Sequence, residues 1–391
     1  AETGKLQWKF RGGPSAQPAM GNQRLVSAWV ARGGPVIRDE TVYFAASIWP
    51  FMGTFIYAVD AESGDVQWVN DSTGSQYIKQ PHSAPSFAGV APQGVLVATD
   101  EMLLVPGGRS VPAAFDRSTG KFRYFKFNEG GKGTGGSFLA ADDKNYYVHT
   151  RRKGTRAFDL KDGAKTAFMV NEPVLSDGLV YASVGDKSKP LVRAYGPGQK
   201  ALWEIRADGT GDLIRCDKHL FAAGEQAITA ISLPQSGKSK TPQIDWTLPA
   251  AGNVQRLLAS NGKLFAVTLE GNILCFGLDS DSTENPPIHA KQKPQPIVFQ
   301  PEVAEIVAQI LSAGDAEGYA FWYGSAFDET LNTLAADSPF VQLAVVDENK
   351  NRVDRLRQKI DDAKLYGRVT AHHSGPADFM PPSNVAHMVF A

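Results

Sequence analysis

Residues 56–68, IYAVDAESGDVQW, decide how this chain folds. An apolar run ends at Asp60, and Gly64 and Trp68 come after it at intervals of four. The aspartate oxygen caps a turn, the glycine supplies the positive φ that closes it, and the aromatic opens the returning strand, so the segment reads as a β-hairpin. Residues 113–124, AAFDRSTGKFRY, repeat the spacing with Asp116, Gly120 and Tyr124. Residues 156–167, RAFDLKDGAKTA, keep Asp159 and Gly163 but place Ala167 where the aromatic is expected. Residues 2–8, ETGKLQW, hold Gly4 and Trp8, half a copy, so the chain is expected to start inside a repeat. Weaker copies end at Trp203 and Trp246, with a last one around Cys275.

A further strand pair precedes most copies, as in GGPVIRDETVYFAAS (33–47), NEPVLSDGLVYASV (171–184) and LLASNGKLFAVT (257–268). Each unit of roughly forty residues therefore holds four strands, which is a propeller blade. One such sheet cannot bury both faces, so blades stack around an axis, and the recurring Trp or Tyr is expected in the seam between neighbours. The expectation is an all-β propeller of about six to eight four-stranded blades. About five full blades fit between Gly33 and Trp246, with further strands at 252–277 and an outer hairpin at 1–12.

These D-x3-G-x3-W blades resemble the PQQ-type β-propeller repeat of quinoprotein alcohol dehydrogenases and of the propeller lipoprotein of outer-membrane protein assembly. The resemblance covers residues 1–280 and implies a periplasmic or extracellular protein. In the dehydrogenases it also implies a PQQ cofactor over adjacent cysteines, a calcium ion and an aspartate base. The only cysteines here, Cys216 and Cys275, are far apart in sequence. PQQ is therefore not expected, and a non-catalytic binding or scaffolding ring is.

Composition narrows the partner. Forty Lys+Arg against 41 Asp+Glu give a net charge of -1, without the basic excess that supplies affinity for nucleic acid. No apolar run approaches the ~18 residues of a membrane span. Two cysteines exclude a disulfide framework and any CxxC site. His149, His219 and His289 have no ligand-spaced companions, so no metal site is expected. Binding is sought instead in the least repetitive inserts, since function sits on loops carried by a rigid frame. SIWPFMGTF (47–55) carries Trp49, Phe51 and Met52; SQYIKQPHSAPSF (75–87) carries His82; LLVPGGRSVP (103–112) carries Arg109. The aromatics need a partner, either another loop of the chain or a protein or polymer at the propeller face.

After residue 280 the pattern changes. Residues 281–300 are rich in proline and charge, a linker. PEVAEIVAQILSAG (301–314) has helical spacing, and the segments beyond it alternate strand and helix: GYAFWYG, DETLNTLAAD, VQLAVVD, NKNRVDRLRQKIDDAKLY, RVTAHH and VAHMVFA. Residues 301–391 thus read as a partial α/β Rossmann-like domain. The arrangement resembles the first half of a class I S-adenosylmethionine-dependent methyltransferase. By that resemblance Gly324 and Ala326 match the glycine loop, Asp347 the ribose-binding acid, and Asp378 with Phe379 the adenine-contacting loop. Asp347 also reads as an ordinary helix-capping acid. GSAFDE keeps one glycine where the family has several, and the chain ends after the fourth strand of a seven-stranded family sheet, so S-adenosylmethionine is a candidate cofactor in a domain expected to be catalytically degenerate. The alternatives are a methyltransferase that uses the ring for substrate capture and a PQQ-type dehydrogenase.

Overall fold

Short runs in which apolar residues alternate with polar ones build antiparallel strands through most of the chain. The computed structural model describes residues 5–80, 83–108, 110–127, 129, 134–149, 154–185, 188–235, 241–277, 317–324 and 340–391, with single helical positions at 305, 308, 309 and 312. Two units are present: residues 1–12 with 31–284, and residues 13–30 with 285–391. Strands β1 (Pro18–Gly21) and β2 (Arg24–Ser27) form a hairpin that falls in the second unit, although the repeat pattern places residues 1–280 in one domain.

In the first unit, β3 (Val36–Arg38), β4 (Thr41–Ala46), β5 (Phe55–Asp60) and β6 (Val66–Asn70) make one four-stranded meander. A separate hairpin comes next, β7 (Gln76–Lys79) with β8 (Pro85–Ala88). The second sheet is β9 (Val97–Ala98), β10 (Met102–Val105), β11 (Ala113–Asp116) and β12 (Phe122–Tyr124). The third takes β13 (Leu139–Ala141), β14 (Asn145–His149), β15 (Thr155–Asp159) and the first half of β16 (Lys165–Ser176). The second half of β16 opens the fourth, with β17 (Leu179–Val184), β18 (Leu191–Tyr195) and β19 (Ala201–Arg206). The fifth is β20 (Asp212–Cys216), β21 (His219–Ala223), β22 (Glu225–Ser232) and the first part of β23 (Gln243–Ser260). The rest of β23 continues into a three-stranded sixth sheet with β24 (Lys263–Thr268) and β25 (Ile273–Gly277).

The sheets stack one after another. Leu103 and Val105 pack with Tyr43 and Ile56 of the first sheet, while Leu104, between them on β10, packs with Tyr146 and Val148 of the third. Tyr181 and Val192 meet Leu213 and Leu220 of the fifth, and Ile228 meets Val254 and Leu264 of the sixth. The first strands neighbour one another in sequence, β3 to β9, then β13, β16, β20 and β23. The second to fifth sheets thus each bury both faces between neighbours, as blades of a propeller do, whereas Leu258, Val267 and Ile273 of the sixth are exposed.

The motif residues take the expected places. Gly64, Gly120 and Gly163 have φ of 79°, 69° and 73°. Asp60 Oδ1 accepts from the Ser63 N–H at 2.8 Å, Asp116 Oδ1 from the Thr119 N–H at 2.9 Å, and Asp159 Oδ1 from the Lys161 N–H at 2.8 Å. These bonds hold the Asp60 and Asp116 carboxyls below the usual carboxylate range; for Asp60 the Ser63 N–H contributes most, for Asp116 the Ser118 hydroxyl. Trp8 donates its indole N–H to the Ala61 carbonyl at 3.0 Å and Tyr124 its hydroxyl to the Leu160 carbonyl at 2.6 Å. The aromatic therefore does lie between blades. Cys216 and Cys275 are free thiols, both exposed.

In the second unit the runs AFW and LAVV are continuously apolar, as strands buried on both faces must be. β26 (Gly318–Tyr323), β27 (Phe340–Asp347), β28 (Val369–His373) and β29 (Ala386–Phe390) form a wholly parallel sheet in the order β28-β27-β26-β29. Helix α1 (Lys350–Asp362) buries Val353, Leu356 and Ile360 against Ala320, Trp322, Leu343 and Val345. The other face holds Phe321, Ala344 and Val346, with Leu25 from the β1–β2 hairpin packed on them. The Leu25 N–H donates to Gln342 Oε1 at 2.8 Å. The segments read as DETLNTLAAD and as the apolar face of the 301–314 helix lie outside the described residues. No described helix is long and apolar enough to cross a membrane.

Candidate functional site

In an antiparallel meander, the connection between the second and third strands of a sheet emerges on the same face as the connection to the next sheet. Both aromatic inserts of the first blade obey this: 47–54 joins β4 to β5, and 71–96 joins β6 to β9. Their bases pack together. A Cβ on Gly74 would lie 2.5 Å from the Pro50 carbonyl oxygen, and one on Gly89 would lie 2.7 Å from Pro50 Cβ, so only glycine allows the approach. The Thr54 hydroxyl donates to the Val90 carbonyl at 2.6 Å.

On this base the rings point outward. Pro50 opens a short 3-10 turn (Pro50–Met52), and Trp49 stacks on Phe51 with centroids 6.2 Å apart. Phe51 is 78% exposed and Trp49 37%, so of the sequence-predicted residues these two are solvent-facing, while Met52 is half-buried. Tyr77 and Phe87, paired across the β7–β8 hairpin, meet edge to face at 5.2 Å and are 64% and 77% exposed. In the sequence this segment stands out for His82, not for either ring. The placement of the two rings five residues to either side of His82 is the available signal. His82 and Arg109 lie outside the described residues.

A polar cluster occupies the same face nearer the first strands. His149, at the end of β14, binds Glu172 through Nε2 at 2.8 Å, and Glu172 also pairs with Arg256 of β23 at 3.6 Å. The His149 ring stacks on Phe138 at 5.5 Å. The hydrogen bond from His149, with help from the Arg256 charge, holds the Glu172 carboxyl below its ordinary range despite burial. Asp212 accepts from the Leu213 N–H at 2.9 Å and the Leu257 N–H at 2.7 Å, tying the fifth sheet to the sixth, and burial pushes its carboxyl up. His149 and His219, solitary in sequence, pair in space with Glu172 and with Asp245 at 3.1 Å. No group of three potential metal ligands occurs among the described residues.

At the carboxyl end of the parallel sheet, Gly324 follows β26 with φ 89°, and a Cβ built on it meets nothing within 4 Å among the described residues. The sheet order reverses between β26 and β29, and this is where ligands of open parallel sheets bind. The neighbouring side chains do not match the expected cofactor contacts. Asp347 is buried, with both oxygens on Arg352 at 3.0 Å and Oδ1 also accepting the Asn349 N–H at 2.6 Å. It is not the helix cap either: that is Asn349, whose side chain accepts from the Arg352 N–H. Phe379 is buried against Phe321 and His372 and offers no face to a base. Asp378 is exposed, and Ala326 lies outside the described residues. Burial and the Arg357 charge lower His372 to about 4, so it is neutral at physiological pH. As they stand, Asp347 and Phe379 do not fit S-adenosylmethionine.

Comparison with known proteins bears on the propeller. No curated protein sequence matches the chain. Among solved structures, BamB from Moraxella catarrhalis aligns with TM-score 0.35 and 14% identity, over 69% of this chain and 98% of its own. The Pan2 WD40 domain of Neurospora crassa aligns with TM-score 0.38 and 12% identity, over 64% of this chain and 76% of its own. A chain of a mitotic checkpoint complex aligns with TM-score 0.40 and 11% identity, over 70% of this chain and 97% of its own. The family model described as outer membrane protein assembly factor BamB, built of PQQ-like repeats, matches residues 1–309, and the chain belongs to that family.

Proposed function

We propose that the chain is a non-catalytic scaffold whose propeller binds a polypeptide partner on the face formed by the 47–54 and 71–96 inserts. One observation carries the reading: Trp49, Phe51, Tyr77 and Phe87 are solvent-facing on two inserts whose bases are locked together by Gly74, Gly89 and Thr54. Large exposed rings on a rigid base are the residues and the setting that dominate protein interfaces. The family's description, an outer membrane protein assembly factor, supports a partner within the cell envelope and a periplasmic location.

Neither enzymatic alternative has a constellation to work with among the described residues. A PQQ-type dehydrogenase would need the adjacent cysteines that this sequence lacks. A methyltransferase would need the Asp347 carboxylate that Arg352 occupies. The propeller reading is tested by placing a photo-crosslinking residue at position 51 and, separately, at exposed Ile37 on β3, outside the two inserts, then identifying adducts from envelope extracts. A defined adduct at 51 and none at 37 supports it; equal labelling at both overturns it.

A further inference from the structure

We propose that the free edge of β7 receives an extended polypeptide segment by strand addition, and that this segment carries an aromatic or β-branched residue opposite Tyr77 and a carboxylate opposite Lys79. The inference rests on the docking face described above and names the chemistry of its partner.

The hairpin register pairs Gln76 with Ala88, Tyr77 with Phe87, Ile78 with Ser86 and Lys79 with Pro85. The Gln80 N–H donates to the Ala84 carbonyl at 3.1 Å, which makes 80 and 84 a hydrogen-bonded pair. By alternation 78/86 and 76/88 are bonded pairs too, so Tyr77 and Lys79 turn their N–H and C=O groups away from β8. The hairpin is a two-stranded sheet, and no third described strand joins it. The two edges are not equivalent. Pro85 removes a donor from the β8 edge, whereas the β7 edge keeps both of its outward N–H groups. A row of unpaired N–H and C=O groups is complementary to extended backbone, which no sugar, lipid or nucleic acid reproduces.

Side chains then narrow the segment. Tyr77 is 64% exposed, with Phe87 its one ring neighbour among the described residues, so an incoming aromatic or β-branched side chain completes a cross-strand pair. Lys79 is exposed on the same face two residues on, and across the hairpin it meets only the uncharged Pro85. A carboxylate on the added strand supplies the opposite charge. A lysine on an edge also repels unwanted strands, and here the same charge selects among partners. An isolated hairpin is marginal in water, and a third strand stabilises it.

The test uses the full chain and a fluorescein-labelled peptide, Thr-Val-Asp-Thr-Tyr-Val-Thr, followed by anisotropy. Two control peptides carry N-methyl groups on the Asp and Tyr amides, or Lys in place of Asp. Saturable binding is expected, weakened about tenfold or more by N-methylation, which removes the donors facing β7. Lys79→Glu is expected to weaken the parent peptide by about threefold to fivefold and to reverse the preference towards the Lys peptide. Equal binding of parent and N-methylated peptides, absence of binding, or no reversal with Lys79→Glu overturns strand addition in the form proposed; the last result leaves Lys79 as an edge guard only. If Phe51→Ser weakens binding while N-methylation does not, the docking face stands and strand addition alone fails.

Discussion

The indole nitrogen of Trp68 donates to the backbone carbonyl of Arg117 at 3.0 Å, and Arg117 directly follows Asp116 in the turn of the next blade. Trp8 with Ala61 and Tyr124 with Leu160 repeat the relationship one residue past Asp60 and Asp159. The glycine of each turn lies under the incoming ring, so a Cβ on Gly120 would come within 2.4 Å of Trp68. Asp and Gly of one copy thus receive the aromatic of the copy before it. Where Ala167 replaces the aromatic, β16 runs unbroken from the third blade into the fourth.

Gly120→Ala should therefore cost more than a glycine substitution in an ordinary turn. Gly178 has a comparable φ of 71°, but a Cβ built on it meets nothing within 4 Å among the described residues. Gly178→Ala carries only the left-handed penalty, about 1–2 kcal/mol. Gly120→Ala adds a ring clash of about 1–3 kcal/mol. Urea unfolding midpoints of the two variants check this, and equal midpoints would show that the seam tolerates the methyl group.

The blades were legible in the sequence because their determinants are local. A turn-capping aspartate and a positive-φ glycine act within five residues, and Asp60, Asp116 and Asp159 were found from spacing alone. The parallel sheet was legible from the alternation of strand and helix segments after residue 300. The exposed rings are half legible: Trp49 and Phe51 stand out in a Pro/Gly insert, but Tyr77 and Phe87 look like ordinary strand residues until the hairpin is seen to stand apart from any blade. The His149–Glu172–Arg256 cluster was invisible, because its members lie far apart in sequence and meet only when the blades are stacked. The sequence places Asp347 at a strand end, but no motif marks its pairing with Arg352, five residues on.

Acid should loosen the propeller through Glu172. Its carboxyl is held low by His149 first and Arg256 second, so its folded-state value lies below the unfolded one. The resulting stability is fully present above the unfolded value, about 4.3, and is lost as pH falls through the folded value. Glu172→Gln should flatten that segment of a plot of unfolding midpoint against pH while leaving the profile near neutrality parallel to wild type. An unchanged acid slope would remove Glu172 from the account.

In the α/β unit, Arg352→Met takes the guanidinium from the buried Asp347 carboxylate, which keeps the Asn349 N–H, and should destabilise by about 1–3 kcal/mol. Adding Asp347→Asn removes the stranded charge, so the double variant should recover much of the loss, a coupling read from a double-mutant cycle. The same pairing predicts no saturable heat when S-adenosylmethionine is titrated into the whole chain at micromolar concentrations. Micromolar binding would mean that Arg352 yields Asp347 to a ribose.

Phe51→Ser and Phe87→Ser distinguish a docking surface from a structural one. Both rings are more than three-quarters exposed, so truncation removes little buried area, and unfolding midpoints should stay within about 0.5 kcal/mol of wild type. Partner binding should fall sharply, because an aromatic anchor at an interface is worth about 2 kcal/mol or more. Trp68→Ala provides the opposite control: its ring fills a blade seam and its N–H is spent on Arg117, so the substitution should lower stability by roughly 3 kcal/mol. Binding to the partner crosslinked at position 51, measured on the folded fraction, should then be retained in Trp68→Ala and lost in Phe51→Ser. If the seam variant loses binding as fully as the surface variants, the partner is reading the integrity of the ring rather than the aromatic face.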